Sequence, residues 1–306
     1  MIFAPQQTTG SDPAGAGLQP AGDGLMWLDG RFHAQLQAAG LCQFEAVMHL
    51  ADGQCLRVLK ERENWYLQLQ ASRTASQGAY LKKHHIRTWL TRLRATLSIG
   101  PGLTAARVEA QNARDLSALG IDVMHVVAYG EKLHADGKLE SFLLTEELTG
   151  YVDLQTFLRQ RFPPRTESGV GADSREAARA GRDPDLQRLL EQVAEIARRF
   201  HGAGYNHRDF YCCHWLVKES PLGQFDIRLI DLQRVQRRRW RRWRWIVKDL
   251  AQMAYSAPRD RIGCREKITL LRHYLGVRKL RGRDKRLVRD VLRKVRIMER
   301  RLGVAP

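Results

Sequence analysis

Residues 206–217 read NHRDFYCCHWLV, and residues 228–234 read RLIDLQR. Pro221 and Gly223 between them supply the chemistry of a turn, and the short apolar runs on either side, around LVKE and DIRLID, read as the two strands of a hairpin. A carboxylate stands near each end of that hairpin: Asp209 in the polar H-R-D triplet that leads into it, and Asp231 just past its second strand. Upstream, Leu186, Leu189, Leu190, Val193, Ile196, Ala197 and Phe200 recur at helical spacing and Gly202 stops the run. The order is helix, polar loop, hairpin, acid.

Working outward, residues 1–24 are rich in Gly, Pro, Ala and Gln without periodicity and read as a disordered leader. FEAVMHL from Phe44, QCLRVLKE, NWYLQLQ and AYLKKH read as short strands, with Asp52-Gly53 and Gln77-Gly78 among the turn residues between them. A helix is expected from Ala105 to Leu119, ended by Gly120, then strands at VMHVVAYGEK and LESFLLTEEL. LQTFLRQRF reads as helix and residues 163–185 as a polar insertion. The expected organisation is a β-rich unit over 25–145 and a mainly helical unit over 146–306, an α+β chain without internal repeats.

Lysine and arginine outnumber aspartate and glutamate by 51 to 33, a net charge of +18 that favours anionic partners. The excess is concentrated from Arg237 to Arg301, where RRRWRRWRW (237–245) suits an anionic substrate, a membrane surface or nucleic acid by composition alone. No nucleic-acid module is present to favour the last. Five cysteines without a C-x-x-C exclude a disulfide framework and fit a reducing compartment. No apolar window approaches the roughly 18 to 20 residues of a membrane span, so a cytoplasmic chain, or one on the cytosolic face of a membrane, is expected.

HRDFYCCHWLV, IDLQR and the later KDLAQMAYS, in this order, resemble the lipopolysaccharide core kinases of the Kdo/WaaP family, within the protein-kinase-like fold. His214 stands where protein kinases keep an Asn. The resemblance extends upstream from about Phe44: AYLKKH is similar to the ATP-lysine strand, which makes Lys82 the phosphate-binding lysine with Lys83 as rival, and AARVEAQNARDL supplies Glu109 as its ion-pair partner. GIDVMHVVAYG and SFLLTEEL resemble the strands that lead to a hinge, where Glu146, Glu147 and Leu148 would meet adenine. A bilobal fold, ATP and Mg2+ follow from the resemblance.

Phosphoryl transfer needs neutralised phosphates, a divalent ion and a carboxylate that orients the attacking hydroxyl. The resemblance gives these tasks to Lys82 with Glu109, to Asp231 and to Asp209 as base. His214 is a weaker metal candidate, because imidazole prefers transition metals and can instead hydrogen-bond Asp209 or phosphate. His207, Arg208 and Asp249 are expected to support the loop. The LKERENWY stretch lacks a G-x-G-x-x-G, so the phosphates must be covered differently.

The short span between Asp231 and Asp249 holds no A-P-E motif and leaves little room to dock a peptide, so a sugar hydroxyl of the lipopolysaccharide inner core is the expected acceptor, heptose before Kdo. An atypical protein or small-molecule kinase, or a non-enzymatic basic scaffold, are the alternatives. Arg237, Arg238, Arg241, Arg242 and Arg244 would face the glycolipid or the anionic inner-membrane surface, and an acidic protein such as acyl carrier protein could use the same face. The bland reading of this region is a core-facing stripe of Trp240, Trp243, Val247, Leu250 and Ala254 beneath solvated arginines. His207, Cys212, Cys213 and His214 also invite a zinc site, but adjacent cysteines rarely converge on one tetrahedral ion.

Overall fold

The computed structural model describes residues 12, 14, 15, 17–70, 76–164, 183–240 and 242–302. The chain divides into two compact units, one drawn from Met1–Ala118 with Val123–Thr149, the other from Leu119–Asp122 with Gly150–Pro306.

The first unit is built on an antiparallel sheet of β1 (Gln19–Ala21), β2 (Met26–Leu28), β3 (Gln54–Leu59), β4 (Arg62–Gln70), β5 (Ser76–Ile86), β6 (Val126–Leu133) and β7 (Leu139–Glu146), in the order β1-β2-β6-β7-β5-β4-β3. Helices α1 (His33–Ala38), α2 (Phe44–Met48), α3 (Trp89–Thr96) and α4 (Ala105–Ser117) join its strands. Alternation along β5 sends Ala79 and Leu81 into a core with Met26, Leu28, Phe44, Phe142 and Leu144, so Lys83 shares that face and Lys82 takes the other.

Three local expectations change here. FEAVMHL is the helix α2, because Phe44, Val47 and Met48 are all buried at the spacing of one helical face. Gln77-Gly78 lies inside β5 rather than at a turn; a Cβ on Gly78 would strike the Glu147 carboxylate and the Tyr66 hydroxyl. The disordered-leader reading fails for its described part. Gln19–Ala21 pairs with β2, Ala14 is buried with its amide donating to Tyr129 Oη at 3.0 Å, and Tyr129 Oη donates to Asp12 at 2.6 Å. Composition missed the Ala14 and Asp12 contacts because their partner, Tyr129, lies more than a hundred residues away. Residues 1–11 lie outside the described residues.

The second unit holds β8 (Val152–Asp153), α5 (Leu154–Arg161), α6 (Pro184–Gly202), β9 (Tyr205–Asn206), β10 (Trp215–Glu219), β11 (Phe225–Leu229), β12 (Gln236–Arg237), α7 (Arg242–Ser256), α8 (Cys264–Leu275) and α9 (Gly282–Leu302). Most of the insertion expected at 163–185, residues 165–182, lies outside the described residues. Asp183 caps α6 by accepting from the amides of Asp185 and Leu186, with Pro184 in the first turn. The hairpin β10–β11 pairs Trp215 with Leu229 at its open end, and Leu119–Asp122 belongs with this unit because Asp122 accepts from Leu229 N at 3.0 Å. Among the described residues no helix is long and apolar enough to cross a membrane.

Candidate active site

In the first unit, Lys82 Nζ donates to Glu109 Oε1 at 2.7 Å, with side-chain exposures of 17% and 1%. Glu109 comes from α4, whose start is tied to β6: Thr104 Oγ1 donates to Glu131 at 2.8 Å, and Arg107 pairs with the same carboxylate. Small residues at Ala106, Ala110 and Ala113 are buried along α4 and allow close packing. Lys83 is held elsewhere. Its ammonium donates to the carbonyls of Met48 at 2.9 Å and Leu50 at 2.8 Å, over the Trp65 ring, and burial pushes its pKa down. Of the three residues expected to meet a nucleotide base, the Glu146 and Glu147 amides already donate to the carbonyls of His125 and Gly78. The Leu148 amide makes no backbone hydrogen bond among the described residues.

In the second unit, the H-R-D loop is gripped by α7 at helical spacing. Asp249, fully buried, accepts from the amides of His207 at 2.8 Å and Arg208 at 2.9 Å. Gln252 accepts from Phe210 N at 3.1 Å and donates to Arg208 O at 3.0 Å, while Ser256 Oγ accepts from Cys212 N at 2.8 Å. Lys248 also donates to Arg208 O. One turn after another, Lys248, Asp249, Gln252 and Ser256 satisfy backbone groups that would otherwise be stranded in the interior. Arg208 itself has φ 70° and Asp231 φ 58°, two of the three non-glycine residues in left-handed backbone among the described residues. Such strain persists where the surroundings over-determine it, and it concentrates at functional sites.

His207 is fully buried and donates from Nε2 to Ile230 O at 3.1 Å; burial, reinforced by His214, pushes its pKa down to about 4. Ile230 N donates to His214 O at 3.1 Å, and the two imidazoles stack at 5.8 Å, which fastens the open end of the hairpin to the loop. His214 Nδ1 donates to the Asp209 carbonyl at 2.7 Å and its Nε2 lies 3.8 Å from Asp231 Oδ2. Burial disfavours the charged ring, but Cys213, the Asp209 carbonyl and Asp231 outweigh it and hold the pKa up at about 9. The Asp209 carboxylate accepts from Arg234 Nη1 through both oxygens, at 3.0 and 2.8 Å.

The donor set suits a hard cation at one residue. Asp231 offers a partly exposed carboxylate, and magnesium usually takes one or two carboxylates together with phosphate oxygens and water. His214 turns Nε2 toward Asp231 while its Nδ1 donates to the Asp209 carbonyl, but imidazole suits transition metals better than magnesium. Among the described residues no three His, Cys, Asp or Glu side chains gather as a metal cage, including His207, Cys212, Cys213 and His214.

The basic stretch divides its labour. Arg242 donates to the carbonyls of His201 and Gly202, and Arg237 to Ala203 at 3.3 Å, so both cap the C-terminus of α6. Trp245 carries Arg238 at 4.4 Å, Arg208 and Arg244 at 5.3 Å and Lys248 at 5.9 Å from its ring centre. Arg241 lies outside the described residues. The expected tryptophan stripe holds at Val247 and Leu250, which are buried, but Trp240 precedes the helix and is 83% exposed, while Trp243 Nε1 donates to Asp290 at 2.9 Å. Helical spacing does not reach back past Arg242, where α7 begins.

Sequence reading gave no site role to Arg234, Gln252 or Ser256, and placed Lys248 only on a solvated basic face; none of the four was expected at the H-R-D loop. For the last three a signal existed: with Asp249 they recur at three- and four-residue steps within KDLAQMAYS. For Arg234 there was none, because its pairing with Asp209 arises from the turn after β11.

With this geometry described, the relatives can be placed. The model of the lipopolysaccharide kinase (Kdo/WaaP) family matches residues 51–274. The chain is 34% identical over 257 residues to the lipopolysaccharide core heptose(I) kinase WaaP of Pseudomonas aeruginosa, covering 82% of this chain and 83% of that protein. It is 30% identical over 220 residues to a protein of the same description from Escherichia coli, at 70% and 74% coverage. Among solved structures, WaaP in complex with acyl carrier protein matches with a TM-score of 0.60 and 30% identity, over 90% of this chain and 97% of that one. The antiparallel sheet carrying Lys82, the α7-gripped H-R-D loop and these matches have one conclusion: the chain belongs to the lipopolysaccharide kinase (Kdo/WaaP) family, with a protein-kinase-like fold.

Proposed function

We propose that this phosphotransferase uses ATP and magnesium to phosphorylate a heptose hydroxyl of the lipopolysaccharide inner core. The observation that carries the reading is the grip of α7 on the H-R-D loop, which fixes Arg208 in left-handed backbone and presents the neighbouring Asp209 carboxylate to Arg234. A base must be held in place before it can accept a proton from a hydroxyl, and this loop is built for that.

Each side chain then has a task. Lys82, oriented by Glu109, pairs with the nucleotide phosphates, and the Leu148 backbone meets the base. Asp231 would hold a magnesium ion, which would supply neutralisation of charge on the triphosphate. Asp209 orients the acceptor hydroxyl and takes its proton as the γ-phosphoryl group leaves ATP. Arg234, Arg238 and Arg244 face the anionic groups of the acceptor. Heptose is preferred over Kdo because both relatives are heptose(I) kinases. An acidic carrier protein is part of the reading as well, supported by the acyl carrier protein bound to the structural relative and by the +18 charge of this chain.

The test is mass spectrometry of core oligosaccharide incubated with the protein, ATP and magnesium. One added phosphate on a heptose is the expected product. Phosphate on Kdo, or on protein in place of glycan, would overturn the heptose assignment.

A further inference from the structure

A helix of a folded unit normally turns its large apolar side chains inward. The helix α3 does the reverse. It buries Thr91, while Trp89, Leu90 and Leu93 are 71%, 51% and 46% exposed and Leu97, at its C-cap, is 57% exposed. These four residues fall within about a third of the helix circumference. Ile99 and Leu103 continue the exposed apolar surface in the following loop.

The start of the helix is fixed by hydrogen bonds. Thr91 N donates to Thr88 Oγ1 at 3.2 Å, Thr88 N donates to Thr91 Oγ1 at 2.9 Å, and the Thr91 hydroxyl donates to Thr88 O at 2.9 Å. The reciprocal capping box starts the helix at Thr88 and satisfies the Thr91 hydroxyl, so this polar side chain can be the buried one, opposite the apolar arc. Three guanidiniums border it: Arg87, which reaches Asp136; Arg92, exposed; and Arg94, whose Nη1 donates to Gly100 O at 3.1 Å. From Arg87 to Leu103 the sequence has no carboxylate.

We infer that the exposed arc of Trp89, Leu90, Leu93 and Leu97 is an interfacial anchor that lies in the headgroup layer of an anionic phospholipid bilayer. Tryptophan and leucine would enter the acyl boundary while the arginines meet lipid phosphates, a division that an amphipathic interfacial helix achieves without spanning. Charge complementarity favours lipid over an apolar protein partner, since two of the three rim guanidiniums, Arg92 and Arg94, have no carboxylate partner among the described residues and only Arg87 is paired, with Asp136. A fluid lipid surface also needs no pre-shaped counterpart for a convex helix. This anchor is separate from the 237–245 stretch, where Arg237 and Arg242 are occupied at the end of α6. It does not depend on which hydroxyl is phosphorylated.

The experiment is co-sedimentation of the full chain with vesicles of phosphatidylethanolamine and phosphatidylglycerol in roughly three-to-one ratio. Trp89→Ser/Leu93→Ser/Leu97→Ser should reduce the bound fraction at least about tenfold, and the single Leu93→Glu should reduce it in the same direction. Both variants should phosphorylate soluble core oligosaccharide at the wild-type rate, so failure of the anchor and failure of the kinase reading are read separately. Wild-type vesicle binding by both variants would overturn the proposal. So would a wild-type dimer that the triple substitution converts to monomer while vesicle binding persists, since the arc would then join two copies of this chain.

Discussion

Arg234 and Asp209 form a two-point contact in which one guanidinium nitrogen serves both carboxylate oxygens, at 3.0 and 2.8 Å. The arginine side chain is 46% exposed and the aspartate 18%, so the pair orients the carboxylate while staying open to solvent. Arg234→Gln should lower kcat roughly ten- to a hundredfold, the worth of a hydrogen bond to a charged group, with the KM for ATP nearly unchanged. Steady-state kinetics on core oligosaccharide decide it. A raised KM for ATP at normal kcat would move Arg234 to the nucleotide.

Asp209→Ala removes the group that takes the hydroxyl proton. Turnover should fall on the order of 100- to 10,000-fold while ATP binding, measured by calorimetry, stays close to wild type. A fully active variant would sink the base assignment.

The adjacent lysines should behave differently. Lys82→Ala strips Glu109 of its ion-pair partner and the nucleotide of its cation, so ATP use should weaken strongly. Lys83→Ala instead leaves the Met48 and Leu50 carbonyls without their donor and should cost about 2 kcal/mol of stability, visible in urea melts, with less effect on nucleotide affinity. If only Lys83→Ala impaired ATP binding, the roles along β5 would be exchanged.

Asp249 accepts two backbone amides of the H-R-D loop and lies 3.3 Å from His201 Nε2, entirely out of solvent. Asp249→Ala should destabilise the second unit by about 3 kcal/mol or more, since buried donors are stranded. Gln252→Ala should do so more mildly, and thermal melts in parallel would rank the two.

Glu140 provides a pH test away from the site. Burial opposes its ionisation, but Lys138, His85 and His134 outweigh burial and bring its pKa from 4.5 down to about 2. A folded-state value below the unfolded one contributes stability above about pH 4.5, lost as pH falls through about 2. Glu140→Gln should therefore be about 2–3 kcal/mol less stable at pH 7, and urea melts should show the gap narrowing from pH 4.5 downward. A gap unaltered by acid would assign it to packing.

Much of this protein was legible along the chain because the signals are local. Short β-rich runs marked β4, β5 and β7, the 3.6-residue period marked α4 and α6, and the order of the H-R-D loop, hairpin and Asp231 pointed to the family. Local windows failed where a distant partner decides the outcome. Phe44 to Met48 is helix because its apolar face joins the sheet core, and Ala14 is ordered because Tyr129 waits for its amide.

The sequence by itself determined which chemical groups are present and in what order: two carboxylates around a hairpin, a lysine pair on a strand, a glutamate on a later helix. Only the tertiary structure decided which lysine meets Glu109, that Arg234 turns back onto Asp209, that α7 spends its polar side chains on loop amides, and that α3 shows its apolar arc to the outside. A residue's type and period are properties of a short segment. The face it presents, and the partner it finds there, are set by contacts summed over the whole folded chain.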